Sequence, residues 1–390
     1  PDDIREAVGG KFWMAKGGNE FDGREISNLD IEELDRIAAE IGEAGIDTVA
    51  ITSVFSPVSD AMERAAMQRM SERLPDADFT LSSEIGRLGI LERENAAIMN
   101  ASLRALSERT VDAYGQALRK VGLACPYYIT QNDGTLMNRD FVQSYPVLTF
   151  ASGPTNSMRG AAFLSGKSDA IVVDVGGTTT DVGALIKGFP RPASTTVDVG
   201  GVRTNFRMPD VFAIGLGGGT IVSGTGDNLT VGPQSVGYRL TREALIFGGQ
   251  ILTLSDVAVG LGLASFGNAS ALDDADPNHL AAVKERTDDM LTHAVERMRV
   301  SPDPIPVLAV GGGSILVPET VGELPVIRPE HFSVANAVGA AIGQISGEVD
   351  RIFSLEAKTR EEALSEARKE ATDKAIAAGA KPDSIELLDQ

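Results

Sequence analysis

Three apolar runs in this 390-residue sequence end in glycines and small hydroxyl residues. Ile171–Val175 runs into Gly176-Gly177-Thr178-Thr179-Thr180-Asp181. Val211–Ile214 runs into Gly215-Leu216-Gly217-Gly218-Gly219-Thr220, and Val307–Val310 into Gly311-Gly312-Gly313-Ser314. Glycine at a strand end lets backbone N–H groups turn outward and approach an anion closely, and threonine or serine adds hydroxyl donors. Three such loops in one chain suggest a nucleotide held at several points. In the first loop, a hairpin would bring Asp174 and Asp181 together at its mouth. Two carboxylates beside a phosphate cradle suit Mg²⁺ bound through water, or the orientation of a nucleophile. Without such a cation they would repel the phosphates.

The first loop is not a P-loop, because no Gly-Lys-Ser/Thr follows, and it lacks the Gly-x-Gly-x-x-Gly spacing of a dinucleotide fingerprint. The plain alternative is a glycine-rich hairpin whose aspartates cap the turn. Gly311–Ser314 suits close approach of backbone to the flat face of a purine, where a Cβ would intrude. Alone it reads equally as an ordinary loop. His279, His293 and His331 lie in acidic, helical or loop contexts with no Ser or Cys constellation around them, which points to surface roles.

The elements that must position these loops read as α/β. A helix is expected from Asp30 to Glu43, capped by Asp30 and carrying Ile31, Leu34, Ile37, Ala38 and Ile41 on one face. A buried strand follows at 47–53, a helix at 61–74, a short strand at 79–82 and a long helix at 92–121. Tyr127–Thr130 reads as a strand ending in the turn Gln131-Asn132-Asp133-Gly134. The stretch 171–175 with 182–186 predicts a hairpin around Gly176–Asp181. Two helices are rich in small residues: 156–164, with Gly160, Ala161 and Ala162, and 334–353, with Ala335, Gly339 and Gly343 on one face. Such faces permit close helix crossing, in a core or at a hinge between lobes. Further helices are expected at 255–263, 276–299 and 355–380, and a strand start at Ile385–Gln390.

Length and composition bound the rest. The length favours two domains, divided as 1–150, 151–330 and 331–390, the last segment returning to the first lobe. Hydrophobic residues make up 43%, which argues against disorder. A net charge of −20 supplies no basic footprint for nucleic acid or an anionic membrane. Cys125 is the only cysteine, so neither an internal disulfide nor a cysteine zinc site is available, as fits a cytoplasmic protein. No apolar run approaches transmembrane length.

The order of these features resembles the actin-like ATPase superfamily of sugar kinases, heat-shock chaperones and acetate kinases. Within it, the chain is most similar to the hydantoinase A and 5-oxoprolinase family. The resemblance rests on Phe21–Glu25, Ser53–Val58, Ser82-Ser-Glu84, Gln131–Gly134, Ser152-Gly-Pro154, Val173–Asp181, Ile214–Thr220, Val231-Gly-Pro-Gln-Ser235 and Leu254-Ser-Asp256. It implies a two-lobed actin-like (ribonuclease H-like) α/β fold. Asp174–Asp181 looks like the second phosphate hairpin, Val310–Ser314 like the adenosine loop, and 152–164 and 334–343 like the connecting helices. Family members open with another Asp-x-Gly-Gly-Thr hairpin, which is absent before Asp174, and continue further, so part of the first lobe is expected to be missing. Their Arg-Glu-Tyr-x-Arg segment is present only as Glu92-Arg93-Glu94.

The resemblance implies ATP-dependent ring opening of a cyclic amide such as hydantoin, N-methylhydantoin or 5-oxoproline, by phosphorylation of the carbonyl oxygen. ATP and Mg²⁺ are the implied cofactors. A second, B-type subunit is the implied partner, and homo-oligomerisation is open. Gly176, Gly177, Thr178, Thr179 and Thr180 would cradle phosphate, Asp174 would position the cation or the attacking oxygen, and Asp181 would support it. Gly311, Gly312, Gly313 and Ser314 would lie near adenosine, with Gly217, Gly218, Gly219 and Gln131–Asp133 as looser lining. The alternatives are a small-molecule kinase, a ketone-activating carboxylase subunit, or an ATPase switch.

Overall fold

The computed structural model describes residues 9–387 except Thr195, Pro302, Arg351, Ser354, Glu356 and Ala357. The expectation of a strand at 385–390 therefore lies partly outside the described residues. The chain divides into two compact units: 1–150, 193–208 and 344–390 form the first, and 151–192 with 209–343 the second. These limits differ from the sequence division in two places. The hairpin of Val197–Val199 with Val202–Thr204 belongs with the first unit, and the second unit ends at Gly343 rather than at 330.

In the second unit one sheet carries the glycine loops. Its strands run Val211–Ile214, Thr180–Ile186, Ala170–Val175, Val307–Val310, Leu324–Ile327 and Thr320–Val321, with Phe189–Pro190 paired beside Thr180–Ile186. The first three are antiparallel. Val307–Val310 is parallel to Ala170–Val175, and Leu324–Ile327 is parallel to Val307–Val310. Three antiparallel strands continued by two parallel ones is the order of a ribonuclease H-like lobe, so the expected actin-like α/β fold is present.

The central strands are apolar on both faces because both faces are covered. Ile171, Val173, Val175, Val307 and Ala309 point into a core shared with helices Leu254–Gly260 and Pro277–Met298. Ala170, Val172, Leu308 and Val310 point the other way, toward Met158, Ala161 and Ala335. Those three residues belong to helices Ser152–Ser165 and Ala335–Ala341, the two small-residue helices. A Cβ added at Gly160 would collide with the carbonyl of Ala335, and one at Gly339 with the carbonyl of Asn156. The second helix is seven residues long and does not continue to 353. Gly343 lies past its end, and Gly347 instead lets the chain run against the backbone of Ala371.

In the first unit, Thr48–Ile51 and Asp78–Leu81 pair in parallel. Helices Ile31–Glu43 and Ala61–Ser71 pack beside them through Leu34, Ile37, Ile41, Ala66 and Met70. Asp30 caps the first of these helices, accepting the Glu33 N–H at 3.1 Å. The long helix runs Ile90–Lys120, and the Asn132 turn joins Ile129–Thr130 to Leu136–Met137. Helix Arg360–Ala377 starts in a capping box of Thr359 and Glu362. The Asn138 N–H donates to the Ala378 carbonyl and the Leu136 N–H to the Gln344 carbonyl. The C-terminal segment is thereby part of this unit's fold.

Candidate active site

The carboxyl ends of Ala170–Val175 and Val307–Val310 lie side by side, because Val310 pairs in register with Asp174. In open α/β sheets ligands collect at the carboxyl ends of parallel strands. Here Asp174 and Asp181 are direct cross-strand partners in the hairpin, so their side chains leave the same face. Neither is fully exposed. Burial raises the Asp174 carboxyl above its ordinary range, and the Ser157 hydroxyl, as hydrogen-bond partner, opposes the shift. Asp181 is pushed up to about 6, first by burial and then by the charge of Asp174. A cation between them would reverse both shifts.

The turn itself has a defined polarity. Gly218 N–H donates to the Gly176 carbonyl at 3.0 Å and Gly219 N–H to the Gly177 carbonyl at 2.6 Å. In a trans peptide the N–H points opposite to the C=O. The N–H groups of Gly177 and Thr178 are therefore turned away from the loop beneath, and Gly177, Thr178 and Thr179 are exposed. Among the described residues, none of these three N–H groups makes a backbone hydrogen bond. The Gly217 position touches the hairpin so closely that a Cβ there would sit 2.7 Å from the Thr178 nitrogen.

The second glycine loop, expected as looser lining, keeps Gly218 at the cavity described below and packs chiefly against the hairpin. The N–H groups of Gly217, Gly218 and Gly219 are spent on Thr220 Oγ1, Gly176 and Gly177, so they support the hairpin from below and are not free to hold phosphate. Thr180 is likewise inside the sheet, its hydroxyl donating to the Leu216 carbonyl at 2.6 Å. It ties the two loops together and is buried away from the turn's outer side.

Gly311–Ser314 packs against the same hairpin. Gly311 has φ +85°, and a Cβ there would meet Asp174 Oδ1. Gly313 N–H donates to the Val175 carbonyl at 2.8 Å, while Gly312 is exposed. Ser314 is fully buried, and among the described residues its Oγ has no hydrogen-bond partner. Between the hairpin and this loop opens a cavity of about 260 Å³. Gly176, Gly177, Gly218, Gly312 and Gly313 contribute backbone to it, and Leu240, Leu254, Ala258, Phe266, Ile315 and Leu316 form apolar walls with Ser255 among them. Outward N–H groups, a carboxylate pair and an adjoining apolar cavity fit a triphosphate carrying a flat base. Among the described residues no group of three or more His, Cys, Asp or Glu could hold a metal by itself. Two carboxylates with water and phosphate oxygens fit Mg²⁺, which commonly binds in that way.

Other expected residues lie elsewhere. In the first unit, Asn132 spends its amide on the carbonyls of Val147 and Arg207, and Asp133 accepts from the backbone and hydroxyl of Thr135. The Gln131–Asp133 turn is therefore internally satisfied. His279 and His293 are on helix Pro277–Met298, and His331 precedes Ala335–Ala341. None of the three lines the cavity. Sequence reasoning missed Ser157, Ser255 and the cavity walls. Ser255 lies in Leu254-Ser-Asp256, whose aspartate caps its own helix by accepting from Thr253.

The fold and this site can be set beside known proteins. The chain is 24% identical over 251 residues to the acetophenone carboxylase gamma subunit of Aromatoleum aromaticum, covering 62% of this chain and 34% of that one. It is 26% identical over 267 residues to caprolactamase subunit alpha of Pseudomonas jessenii, covering 67% and 37%. It therefore spans little more than a third of those relatives. The solved ATP-dependent caprolactamase of Pseudomonas jessenii superposes with a TM-score of 0.73 at 21% identity, over 94% of this chain and 59% of that one. A nucleotide-free acetone carboxylase gives 0.65 at 16%, over 98% and 62%. At those identities the superpositions establish a shared fold. Among the described residues no helix is long and apolar enough to cross a membrane. Residues 6–74 match the N-terminal region of the hydantoinase/oxoprolinase family, and residues 93–265, which carry the paired aspartates and the outward-facing turn, match its Hydantoinase/oxoprolinase domain; the chain belongs to that family.

Proposed function

We propose that this chain binds ATP in its second unit and serves an enzyme that activates the carbonyl oxygen of a cyclic amide, leading to ring opening. The observation that carries the reading is the turn at Gly177–Thr178, whose free N–H groups lie beside Asp174, Asp181 and the apolar cavity. An amide carbonyl is a poor electrophile with a poor leaving oxygen. ATP, when bound, would supply the phosphoryl group that makes that oxygen a leaving group. The chain's own residues would work by positioning and charge compensation, as is usual in phosphoryl transfer. Gly177, Thr178 and Thr179 would hold phosphate oxygens through backbone N–H groups. Asp174 and Asp181 would hold Mg²⁺ through water, and Gly312 and Gly313 would border the base.

Hydantoin, N-methylhydantoin, 5-oxoproline and caprolactam are the substrates to test. A ketone-carboxylating role is the second reading, favoured by the likeness to acetophenone and acetone carboxylases. Both readings need the same carbonyl activation. The relatives named as subunits support a partner subunit that completes the reaction. A single cysteine in the whole chain supports a cytoplasmic setting. The test is ADP release by the full chain, alone and with its B-type partner, against each cyclic amide and against acetone or acetophenone with bicarbonate. Amide-stimulated ADP release with an opened product supports the first reading. Stimulation only by ketone supports the second. Turnover indifferent to every carbonyl compound would refute both.

A further inference from the structure

Helix Ser152–Ser165 lies along the face of the sheet that carries Asp174. Its Ala161 shares a buried core there with Val172 and Val310, and Asp174 follows Val172 by two positions, on the same face. Ser157 stands one helical turn before Ala161, on the same side of the helix and nearer the carboxyl ends of the strands. It is 1% exposed, and its hydroxyl is a hydrogen-bond partner of the Asp174 carboxyl. Where its proton goes follows from its neighbours. A serine or threonine inside a helix can turn its hydroxyl back to the carbonyl four residues earlier. Ser165, Ser144, Thr110 and Thr287 all do so, toward Ala161, Asp140, Leu106 and Val283. For Ser157 that carbonyl belongs to Gly153, and it is already taken. Asn336 Nδ2 donates to it at 2.8 Å and to Ser157 Oγ at 3.2 Å.

Resting on the nucleotide reading above, we infer that Asn336 and Ser157 are positioning residues: Asn336 blocks the carbonyl that would otherwise capture the Ser157 proton, and Ser157 turns that proton on Asp174, fixing the carboxylate in the orientation that receives a water of Mg²⁺. A carbonyl oxygen has two acceptor sites, and the helix ladder claims the one that Asn336 leaves. A hydroxyl carries a single proton. With Gly153 filled and Ser157 Oγ already accepting from Asn336, that proton is left for Asp174. Remove the Asn336 amide, and the Gly153 carbonyl becomes the nearer bargain for Ser157, as the corresponding carbonyl is for Ser165. Asn336 itself is exposed near the start of helix Ala335–Ala341, so its amide can be removed without opening the core.

The test is the affinity of ATP for the full chain, by competition against a fluorescent triphosphate, in Mg²⁺ and again in EDTA. The wild type is expected to gain affinity with Mg²⁺. Asn336→Ala and Ser157→Ala are each expected to cut that gain by about tenfold, the order expected of one hydrogen bond to a charged group, and to leave the affinity in EDTA as it was. Ser157→Thr, which keeps the hydroxyl, should retain the gain. The double alanine variant should lose no more than either single one, because the two residues act along one route. An undiminished gain in Asn336→Ala overturns the inference while the nucleotide site stands. So do additive losses in the double variant, or a wild type whose affinity ignores Mg²⁺. A purely structural role would lower the melting temperature of the variants and leave the gain unmoved, which is the same overturning result. The exposed Asn336 decides the question even if Ser157→Ala does not fold. If ATP binds in neither buffer, the nucleotide reading itself falls, and this inference with it.

Discussion

Asp181 carries the most direct consequence at the residue scale. Its carboxyl sits near 6, against an ordinary value of 3.8. The folded chain therefore keeps this proton at a pH where the unfolded chain has lost it. Between about pH 4 and 6 the folded state binds more protons, so stability falls as pH rises through that window and the penalty is complete above it. Two pH units correspond to roughly 2–3 kcal/mol, and partial exposure brings this to about 2 kcal/mol. Thermal melting from pH 4 to 8 in nucleotide-free, metal-free buffer should show the loss. Asp181→Asn should flatten that part of the profile and raise the melting point at pH 7.5; an unchanged slope in the variant would count against the assignment. If Asp174 has the role proposed above, Asp174→Asn should lower ATP turnover by roughly 100-fold or more without loss of stability, because the change removes the charge that role needs and leaves the shape intact.

The aspartate pair is legible in the sequence because a tight hairpin fixes its own register: once 171–175 and 182–186 pair, Asp174 must face Asp181. Ser255, Phe266 and Ile315 are not legible in the same way. They reach one cavity from segments far apart along the chain, and none breaks the apolar pattern of its surroundings. Gly217–Gly219 are legible only in part. Composition shows that backbone can approach something there, and only the fold shows that the something is the hairpin.

At the scale of elements, the two small-residue helices depend on what is missing from them. Gly160→Ala and Gly339→Ala would each drive a methyl group into a backbone carbonyl that cannot move aside as a side chain could. Each should cost about 2–4 kcal/mol, read as a lowered denaturant midpoint. Gly153, in the same helix as Gly160, meets nothing within 4 Å. Gly153→Ala should therefore be neutral or stabilise by about 0.5 kcal/mol, and equal losses at all three positions would contradict the packing argument. The close approach is readable from the spacing of small residues. The early end of the second helix is not, since Ile342 and Ile345 prolong its apolar pattern beyond Ala341, and Gly347 serves a different contact.

A second element-level dependence lies in the first unit. Glu63 is fully buried in the helix after Thr48–Ile51. It accepts from Ser53 N–H at 2.8 Å, from the Ser82 hydroxyl, and from the backbone and hydroxyl of Ser83. Arg93, 1% exposed, donates to Ser82 Oγ and to the carbonyls of Ser53 and Arg87. The Ser53 and Ser82 stretches and Glu92-Arg93-Glu94 thus serve one buried polar cluster that clamps the ends of both parallel strands. Glu63 and Arg93 meet through Ser82, and the charge of Glu63 acts on Arg93, so Arg93→Met removes that compensation and strands the acceptors Arg93 serves; it should destabilise this unit by about 3–5 kcal/mol in urea titration. Glu63→Gln, which keeps some acceptor capacity, should cost less.

At the scale of the whole molecule, neither unit is a single stretch of chain. The first unit takes residues from 1–150, 193–208 and 344–390. Its C-terminal portion is fastened by Leu136 to Gln344, Asn138 to Ala377 and Ala378, Ser346 to Thr135, and ion pairs of Arg207 with Glu348 and Arg87 with Asp350. Ending the chain at Gly343 should therefore expose the Leu136–Met137 region to amide exchange while the sheet around Ala170–Val175 stays protected. Fast exchange in both would contradict the division. Sequence alone places 355–380 on a helix and sends it back to the first lobe. It offers no sign that 193–208 does the same, because a short polar hairpin looks alike wherever it lands.

The bond between Asn138 and Ala377 spans 239 positions. During synthesis the first unit must wait with its edges open until helix Arg360–Ala377 has left the ribosome, whereas the glycine-loop sheet has every strand it needs once Ile327 is out. Long-range closure of this kind is slow and leaves unpaired surface in the interval. Poor recovery of recombinant material would then trace to the early-translated unit, and slower elongation or chaperone supply would improve yield more than any change at the aspartates.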